Sequence, residues 1–236
     1  HTHAKQLSPF LLLDRAGPAH FEPADHTRGV GEHPHRGFET VTYVRTGFCD
    51  HSDSLGATAR FGRGDTQWMT AGKGVQHSEM FPLVKESEDN PLVLFQIWLN
   101  LPAKDKMVEP HFAMLWGEQI PQVEVTDSAG HVTEVKVVAG ELNGQRPPSP
   151  PPESWAAQTT NEVAVWNIKI PANGEFQLPA ASAGLNRVLY FYDGDSAMVA
   201  GQQIAPNHGM QLHSEMPVTI VSGGQRSEFL LLQGKP

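Results

Sequence analysis

Two short motifs in the first third of the chain carry paired metal-capable side chains. The first is His33-Pro34-His35 and the second is His77-Ser78-Glu79. Because successive side chains of a β-strand point to opposite faces, residues two apart share a face. Two neighbouring strands with one motif each would therefore assemble three imidazoles and one carboxylate. This donor set suits a first-row transition metal, and on an octahedral ion it would leave positions open for water, dioxygen or a chelating substrate.

The residues around the motifs favour strands that meet near an opening. Gly72-Lys73-Gly74 predicts a tight turn just before His77. Pro34 cannot donate a ladder hydrogen bond, so the first pair is expected at the beginning or the edge of a strand. On a regular strand, Glu39 falls on the same face as that pair. The lack of nearby thiolates argues against a structural zinc site.

Composition limits the classes of function. The chain has 236 residues, with 22 Gly, 19 Pro, 18% charged residues and a formal net charge of −9. The many turn residues favour a β-rich fold, and the negative charge argues against a nucleic-acid surface. The single cysteine, Cys49, excludes an internal disulfide and fits a reducing compartment, so a cytoplasmic location is expected. No apolar run approaches the length of a membrane span.

The start of the chain indicates how it relates to its gene product. His1-Thr2-His3 is not a signal-peptide pattern. The chain lacks an initiator methionine, so we expect it to be part of a longer product.

Apolar and β-branched runs predict strands in both halves of the chain. The predicted strands are residues 39–44, 66–69, 91–101, 132–138, 161–170, 186–192 and 229–232. A helical pattern over 112–120 predicts a short linker. The string VTYVRTG ending at Gly47 is similar to VLYFYDG ending at Gly194, which predicts a duplicated β-barrel or sandwich unit. The expected domains are therefore residues 1–115 and 120–236, with the proline-rich stretch 144–153 as an extended loop in the second.

Long segments of the N-terminal half resemble the pirin family of the cupin superfamily. The densest resemblance lies in HPHRGFETVTYV (residues 33–44) and GDTQWMTAGKGVQHSEM (residues 64–80). SPFLLLD (residues 8–14) and KMVEP (residues 106–110) are similar to pirin segments as well. The resemblance implies an all-β bicupin, in which two antiparallel β-barrels lie face to face and only the N-terminal barrel binds metal.

The resemblance also implies which residues hold the metal. In pirins the two histidines of the first motif and the His and Glu of the second bind iron. The corresponding residues here are His33, His35, His77 and Glu79. Fe(II) is the expected metal, and Mn, Ni, Co, Cu or Zn would fit the same donors. Glu39 is a ligand position in many other cupins. Here we expect it to support the site instead, by accepting a hydrogen bond from a ligand imidazole or from Arg36.

Several further residues have two readings each. Trp68 and Met69 are expected in the core or in the pocket wall. Gln96 lies in an apolar strand, so its amide would either line the metal pocket or bond to a neighbouring strand.

His213-Ser214-Glu215 repeats the second motif without a His-x-His companion, so we expect a solvated loop there. Pirins continue past the last barrel strand with a C-terminal tail, which is either missing or not part of this chain.

The resemblance implies two activities, and the sequence does not distinguish between them. The first is a metal-dependent dioxygenase that acts on quercetin or another phenolic substrate with O2, with Glu79 accepting the substrate proton. The second is a redox-sensing iron protein that regulates a partner protein. A metal-stabilised scaffold without catalysis is a third reading. A cavity that reaches the metal would favour the enzyme, and a sealed metal would favour the regulator.

Overall fold

The computed structural model describes residues 4–236, so the opening tripeptide His1-Thr2-His3 lies outside the described residues. The described chain is nearly all β, as predicted. Its helical segments are short: α1 at Ala4–Leu7 and 3-10 turns at Ala103–Asp105, Trp155–Ala157 and Thr159–Asn161. Among the described residues, no helix combines the length and the apolar character needed to cross a membrane. The chain divides into two compact units.

The N-terminal unit comprises residues 10–119 and 148–157. Its strands are β1 Phe10–Phe21, β2 Arg28–His35, β3 Phe38–Thr46, β4 Phe48–Asp53, β5 Thr58–Gly62, β6 Thr66–Thr70, β7 Val75–Phe81, β8 Asn90–Asn100 and β9 His111–Leu115. They form a five-stranded sheet in the order β1-β8-β3-β6-β9 and a four-stranded sheet in the order β2-β7-β4-β5. Every pairing in both sheets is antiparallel.

An apolar layer connects the two sheets of the N-terminal unit. β3 and β8 are rich in β-branched and aromatic residues, which suit a half-buried pleated surface. Val44 on β3 and Leu94 on β8 pack with Cys49 on β4 and Phe61 on β5, and all four are buried. This layer fixes the four-stranded sheet, which carries both metal-capable motifs, against the five-stranded sheet.

The predicted helical linker at 112–120 is wrong. Residues 111–115 form β9, which pairs antiparallel with β6 so that Phe112 lies opposite Met69. The backbone groups of this segment are satisfied by the edge of the five-stranded sheet, and this tertiary pairing overrides the local helical pattern. A turn follows, in which the Gln119 N–H donates to the Trp116 carbonyl over 2.8 Å.

The C-terminal unit comprises residues 4–9, 120–147 and 158–236. Its strands are β10 Gln122–Thr126, β11 Val132–Ala139, β12 Ala164–Ile170, β13 Glu175–Leu178, β14 Asn186–Asp193, β15 Ala197–Val199, β16 Gln202–Ile204, β17 His208–His213, β18 Val218–Ser222 and β19 Ser227–Gly234. They form one sheet in the order β10-β11-β12-β19-β14-β17 and another in the order β13-β18-β15-β16. Its core joins Ile168 and Leu231 of the larger sheet to Phe176 and Ile220 of the smaller one.

The two units repeat one arrangement of strands. The similar strings VTYVRTG and VLYFYDG lie in β3 and β14, and each strand pairs antiparallel with an apolar partner, β8 and β19 respectively. The order β8-β3-β6 in one sheet corresponds to β19-β14-β17 in the other. The duplication predicted from the strings is therefore present in the pairing of the strands.

The proline-rich loop is divided between the two units. Residues 148–157 pack in the N-terminal unit, whereas the sequence predicts the stretch 144–153 as a loop of the second domain. The physical reason is a pair of hydrogen bonds. The Ser154 hydroxyl and the Trp155 N–H both donate to the buried carboxylate of Glu39, each over 3.0 Å.

Candidate metal centre

The two motifs lie on adjacent strands of the four-stranded sheet. β2 is the edge strand and pairs with β7, so that His33 lies opposite His77. The edge position tolerates Pro34, which has no N–H to donate. The turn before β7 requires glycine at position 72. Its φ is +48°, and a Cβ there would lie 2.1 Å from the Val108 carbonyl oxygen.

Three imidazoles converge between these strands. The Nε2 atom of His77 lies 2.9 Å from that of His35 and 3.0 Å from that of His33. One ligand nitrogen from each ring lies within 4.8 Å of the other two. Two nitrogens that are each about 2.1 Å from one ion, at a right angle, are about 3 Å apart. The separations therefore fit neighbouring ligands of a single transition-metal ion.

The protonation of these rings also suits a metal. The Nδ1 atom of His33 lies 2.8 Å from the Gly31 carbonyl oxygen, which only accepts, so Nδ1 carries the hydrogen and Nε2 of the neutral ring has a lone pair. Burial, aided by the charge of His33, lowers the pKa of His35 to about 4. Burial and the neighbouring histidines lower the pKa of His77 to about 3. Neutral imidazole is the form that binds a metal.

Glu79 lies on β7 two residues after His77, on the same face of the strand. Its side chain is buried, and Oε1 accepts a hydrogen bond of 3.0 Å from the Thr42 hydroxyl on β3. Burial raises the pKa of Glu79, although the Thr42 hydrogen bond and the charge of His33 act in the opposite direction. The carboxylate lines the same cavity as His33 and His35 but is not one of the three mutually close ligand groups.

A cavity of about 410 Å³ opens onto the histidine cluster. It is lined mainly by apolar and aromatic side chains. The lining residues are Leu12, Asp14, Ala16, Val30, His33, Pro34, His35, Phe38, Glu79, Phe81, Leu94, Gln96 and Trp98. Gln96 therefore faces the cavity, where its Oε1 lies 2.5 Å from the Thr42 hydroxyl. Val30 is 47% exposed, so the cavity reaches solvent.

Glu39 is fully buried but lies outside the lining of this cavity. Its Oε2 accepts hydrogen bonds of 2.9 Å from both the Trp68 indole N–H and the Thr70 hydroxyl. Its Oε1 accepts those from Ser154 and Trp155. Burial raises the pKa of Glu39, and the four hydrogen bonds oppose that effect. Its partners are therefore neither a ligand imidazole nor Arg36, and the carboxylate fastens the 148–157 loop to the five-stranded sheet.

The other predicted site residues lie away from the cavity. Trp68 and Met69 are at most 1% exposed and belong to the core, since neither lines the cavity. The Arg36 guanidinium is oriented towards the Met107 sulfur, at 3.7 Å. Cys49 is completely buried, and burial raises the pKa of its thiol, as expected for a core residue.

Sequence reasoning missed a pair of buried side chains on the other side of His77. The Nδ1 atom of His51 lies 3.2 Å from that of His77, and its Nε2 lies 2.9 Å from Asp53 Oδ2. Both residues are on β4, which pairs with β7 so that Asp53 lies opposite His77. The one signal in the sequence is the two-residue spacing of a histidine and a carboxylate.

The second His-Ser-Glu string does not form a site. His213 and Glu215 are exposed, and the Ser214 hydroxyl donates to the Ser182 carbonyl over 2.8 Å. Within residues 4–236, the group at His33, His35 and His77 is the only set of three metal-capable side chains this close together.

Comparison with known proteins relates this chain to one family. A family model described as Pirin matches residues 1–99. Human pirin is 32% identical, over 98% of this chain and 73% of the human protein. A Pseudomonas aeruginosa protein named provisionally as quercetin 2,3-dioxygenase is 44% identical, over 75% of this chain and only 58% of that protein's length. The crystal structure of quercetin 2,3-dioxygenase from Acinetobacter baumannii has a TM-score of 0.82 and 31% identity, covering 98% of this chain and 76% of its own.

Proposed function

This chain belongs to the pirin family, and on that premise we propose that it is a metal-dependent dioxygenase that acts on phenolic, flavonol-like substrates with O2. The observation that carries the proposal is the convergence of three imidazole nitrogens within 4.8 Å at the wall of a cavity of about 410 Å³. Relatives named as quercetin 2,3-dioxygenases support this choice of reaction and of substrate class.

The proposed ligands are His33, His35, His77 and Glu79. Their mixed imidazole and carboxylate donors suit Fe(II), which we propose as the metal, and would also accept Mn, Co, Ni, Cu or Zn. When bound, the metal would act as a Lewis acid towards adjacent substrate oxygens and as the centre at which O2 reacts.

The cavity walls suit a flat aromatic substrate. Phe38 and Trp98 lie 4.7 Å apart between ring centroids on one side of the cluster, and Phe81 and Leu94 add apolar surface. A volume of about 410 Å³ lies within the range of small-molecule sites, which are mostly apolar with a few polar groups that set orientation. Gln96 is such a group, and we propose that its amide orients a substrate hydroxyl.

Glu79 is the proposed base. Because burial raises the pKa of its carboxyl group, the carboxylate holds a proton more strongly than an exposed glutamate. The Thr42 hydroxyl steadies Oε1, and the carboxylate would take the proton of a phenolic hydroxyl as the substrate binds. The proton would then reside on a carboxylate oxygen inside the cavity until product leaves.

An iron-dependent regulator of a partner protein would use the same side chains. The cavity favours the enzyme, because its volume of about 410 Å³ borders His33 and His35 and is large enough for a small molecule. A regulator needs no such cavity.

Oxygen uptake tests the proposed activity. Metal-free protein would be loaded with Fe(II) under anaerobic conditions and mixed with quercetin and air-saturated buffer in an oxygen electrode. His35→Ala, checked for folding by circular dichroism, is the control. We expect oxygen uptake that depends on the metal, on the substrate and on His35. Uptake by the iron-loaded protein no greater than that of His35→Ala, for quercetin and a panel of other flavonols and phenols, would overturn it.

A further inference from the structure

A buried relay of two side chains lies behind His77, on the side away from the cavity. β4 runs antiparallel to β7 and brings His51 and Asp53 alongside it. The side chains of both residues are inaccessible to solvent. The Phe112 ring covers His51, with 4.9 Å between ring centroids. Water therefore does not compete for the hydrogen bonds of this relay.

The first hydrogen bond fixes the tautomer of His51. Asp53 Oδ1 accepts the N–H groups of Leu55 and Ala57 over 2.9 and 3.0 Å, and Oδ2 lies 2.9 Å from His51 Nε2. A carboxylate only accepts, so Nε2 of His51 carries the hydrogen. With its hydrogen on Nε2, the neutral ring of His51 has its lone pair on Nδ1.

The second hydrogen bond determines the tautomer of His77. Nδ1 of His51 faces Nδ1 of His77 at 3.2 Å and the Gln67 amide nitrogen at 3.1 Å. Because Nδ1 of His51 accepts, Nδ1 of His77 must donate. The lone pair of neutral His77 is then on Nε2, the atom that faces His33 and His35.

We propose that His51 and Asp53 are positioning residues that hold His77 in its Nδ1–H tautomer and so present Nε2 to the metal. The proposal rests on the proposed metal site. Neutral histidine in water prefers the other tautomer, with the hydrogen on Nε2, so His77 would otherwise have to move that hydrogen before it could bind. A ligand histidine usually donates its second N–H to a carboxylate or carbonyl. Here a second histidine, itself oriented by a carboxylate, accepts that hydrogen.

The substitution Asp53→Asn reverses the direction of the hydrogen bonds in the relay, while the side chain keeps nearly the same shape. The asparagine oxygen still accepts the Leu55 and Ala57 N–H groups, and its amide N–H faces His51. His51 must then accept through Nε2 and donate through Nδ1, and the Gln67 amide must turn its oxygen, which has no other partner, towards Nδ1. This reversal pushes the hydrogen of His77 onto Nε2. Asp50→Asn is the matched control, because Asp50 lies on the same strand but pairs with Arg60 at the surface.

Nitrogen-15 spectra of the histidine rings in the metal-free protein give the direct test, with His77 signals assigned by their loss in His77→Gln. We expect Nδ1–H in the wild type and in Asp50→Asn, and Nε2–H in Asp53→Asn. Affinity for Fe(II), measured by competition with a chelating dye, should fall about 10- to 100-fold in Asp53→Asn alone. If Asp53→Asn does not fold, His51→Leu replaces it and should give a mixture of tautomers with a smaller loss of affinity.

Two results would overturn the relay. One is an Nε2–H tautomer of His77 in the wild type. The other is a variant that folds and keeps both the wild-type tautomer and the wild-type affinity. The failure of the proposed function is distinguishable from both. If the wild type binds no metal, the metal site is wrong, while the spectrum of the metal-free protein still decides whether Asp53 sets the tautomer of His77.

Discussion

The imidazoles of His33 and His77 face each other across the pairing of β2 with β7, with their Nε2 atoms 3.0 Å apart. The Gly31 carbonyl holds the hydrogen of His33 on its other nitrogen. If His77 carries its hydrogen on Nδ1, as the proposed relay requires, two acceptor atoms point at each other, a contact that a cation stabilises and that hydrogen bonding alone does not. This contact has direct consequences for metal binding and for the pH dependence of stability.

The stability of the metal-free protein should fall in mild acid. The pKa of His35 is about 4 and that of His77 about 3 in the folded state, below the ordinary value of 6.5. The unfolded chain therefore binds these protons more tightly. The stabilisation from the neutral rings is fully present above pH 6.5 and is lost as the pH falls towards 4, by at most about 1.4 kcal/mol per pH unit for each histidine.

Urea denaturation of the metal-free protein between pH 7.5 and pH 5 measures this effect. The double variant His35→Gln, His77→Gln is the control and should show a smaller dependence on pH. Equal slopes for the two proteins would show that the folded state does not disfavour protonation of these rings.

The substitution Glu39→Gln should reduce stability and leave metal binding unchanged. Four donors converge on the Glu39 carboxylate, so an amide –NH2 group would face two of them. We expect a loss of about 3 kcal/mol in the free energy of unfolding, since hydrogen bonds to a buried charge are involved. Glu109→Gln is the control, because Glu109 is 79% exposed and its pair with Lys73 contributes little.

Metal affinity decides between the two roles of Glu39. A supporting role beside a metal ligand would lower the affinity about 10- to 100-fold in Glu39→Gln. The hydrogen bonds to Ser154 and Trp155 predict instead an affinity within error of the wild type, together with faster proteolysis in the 148–157 loop.

The substitution Thr42→Val should slow turnover without unfolding the protein. Valine has nearly the same shape as threonine but lacks the hydroxyl that contacts Glu79 Oε1 and Gln96 Oε1, so the proposed base and the amide beside it lose their fixed orientation. We expect kcat to fall about 10-fold, with a smaller change in KM. Thr40→Val, the same change two residues away on β3, removes a hydroxyl that contacts neither Glu79 nor Gln96 and should keep the wild-type kcat. Equal effects of the two variants would count against a role for Thr42 at the site.

The sequence predicts those parts of the site that depend on local spacing. The two-residue spacing of His33 and His35 places both side chains on one face of a strand. The sequence does not predict that this strand, β2, pairs with β7. The Gly-rich turn and the edge position of Pro34 follow from backbone chemistry alone.

Contacts between distant segments are what the sequence does not predict. Glu39 meets Ser154 across more than one hundred residues, and nothing local to either residue indicates that contact. His51 reaches His77 only because β4 pairs with β7 in one register. The prediction of a helical linker is wrong for the same reason. The local pattern favours a helix, but pairing with the edge of β6 stabilises a strand.

Anomalous diffraction from crystals of the iron-loaded protein, recorded on both sides of the iron absorption edge, would locate the metal and its ligands. We expect one strong iron peak, bonded to Nε2 of His33, His35 and His77 and to a carboxylate oxygen of Glu79. An iron peak at other residues, coordination through Nδ1 of these histidines, or no ordered iron at full loading would contradict it.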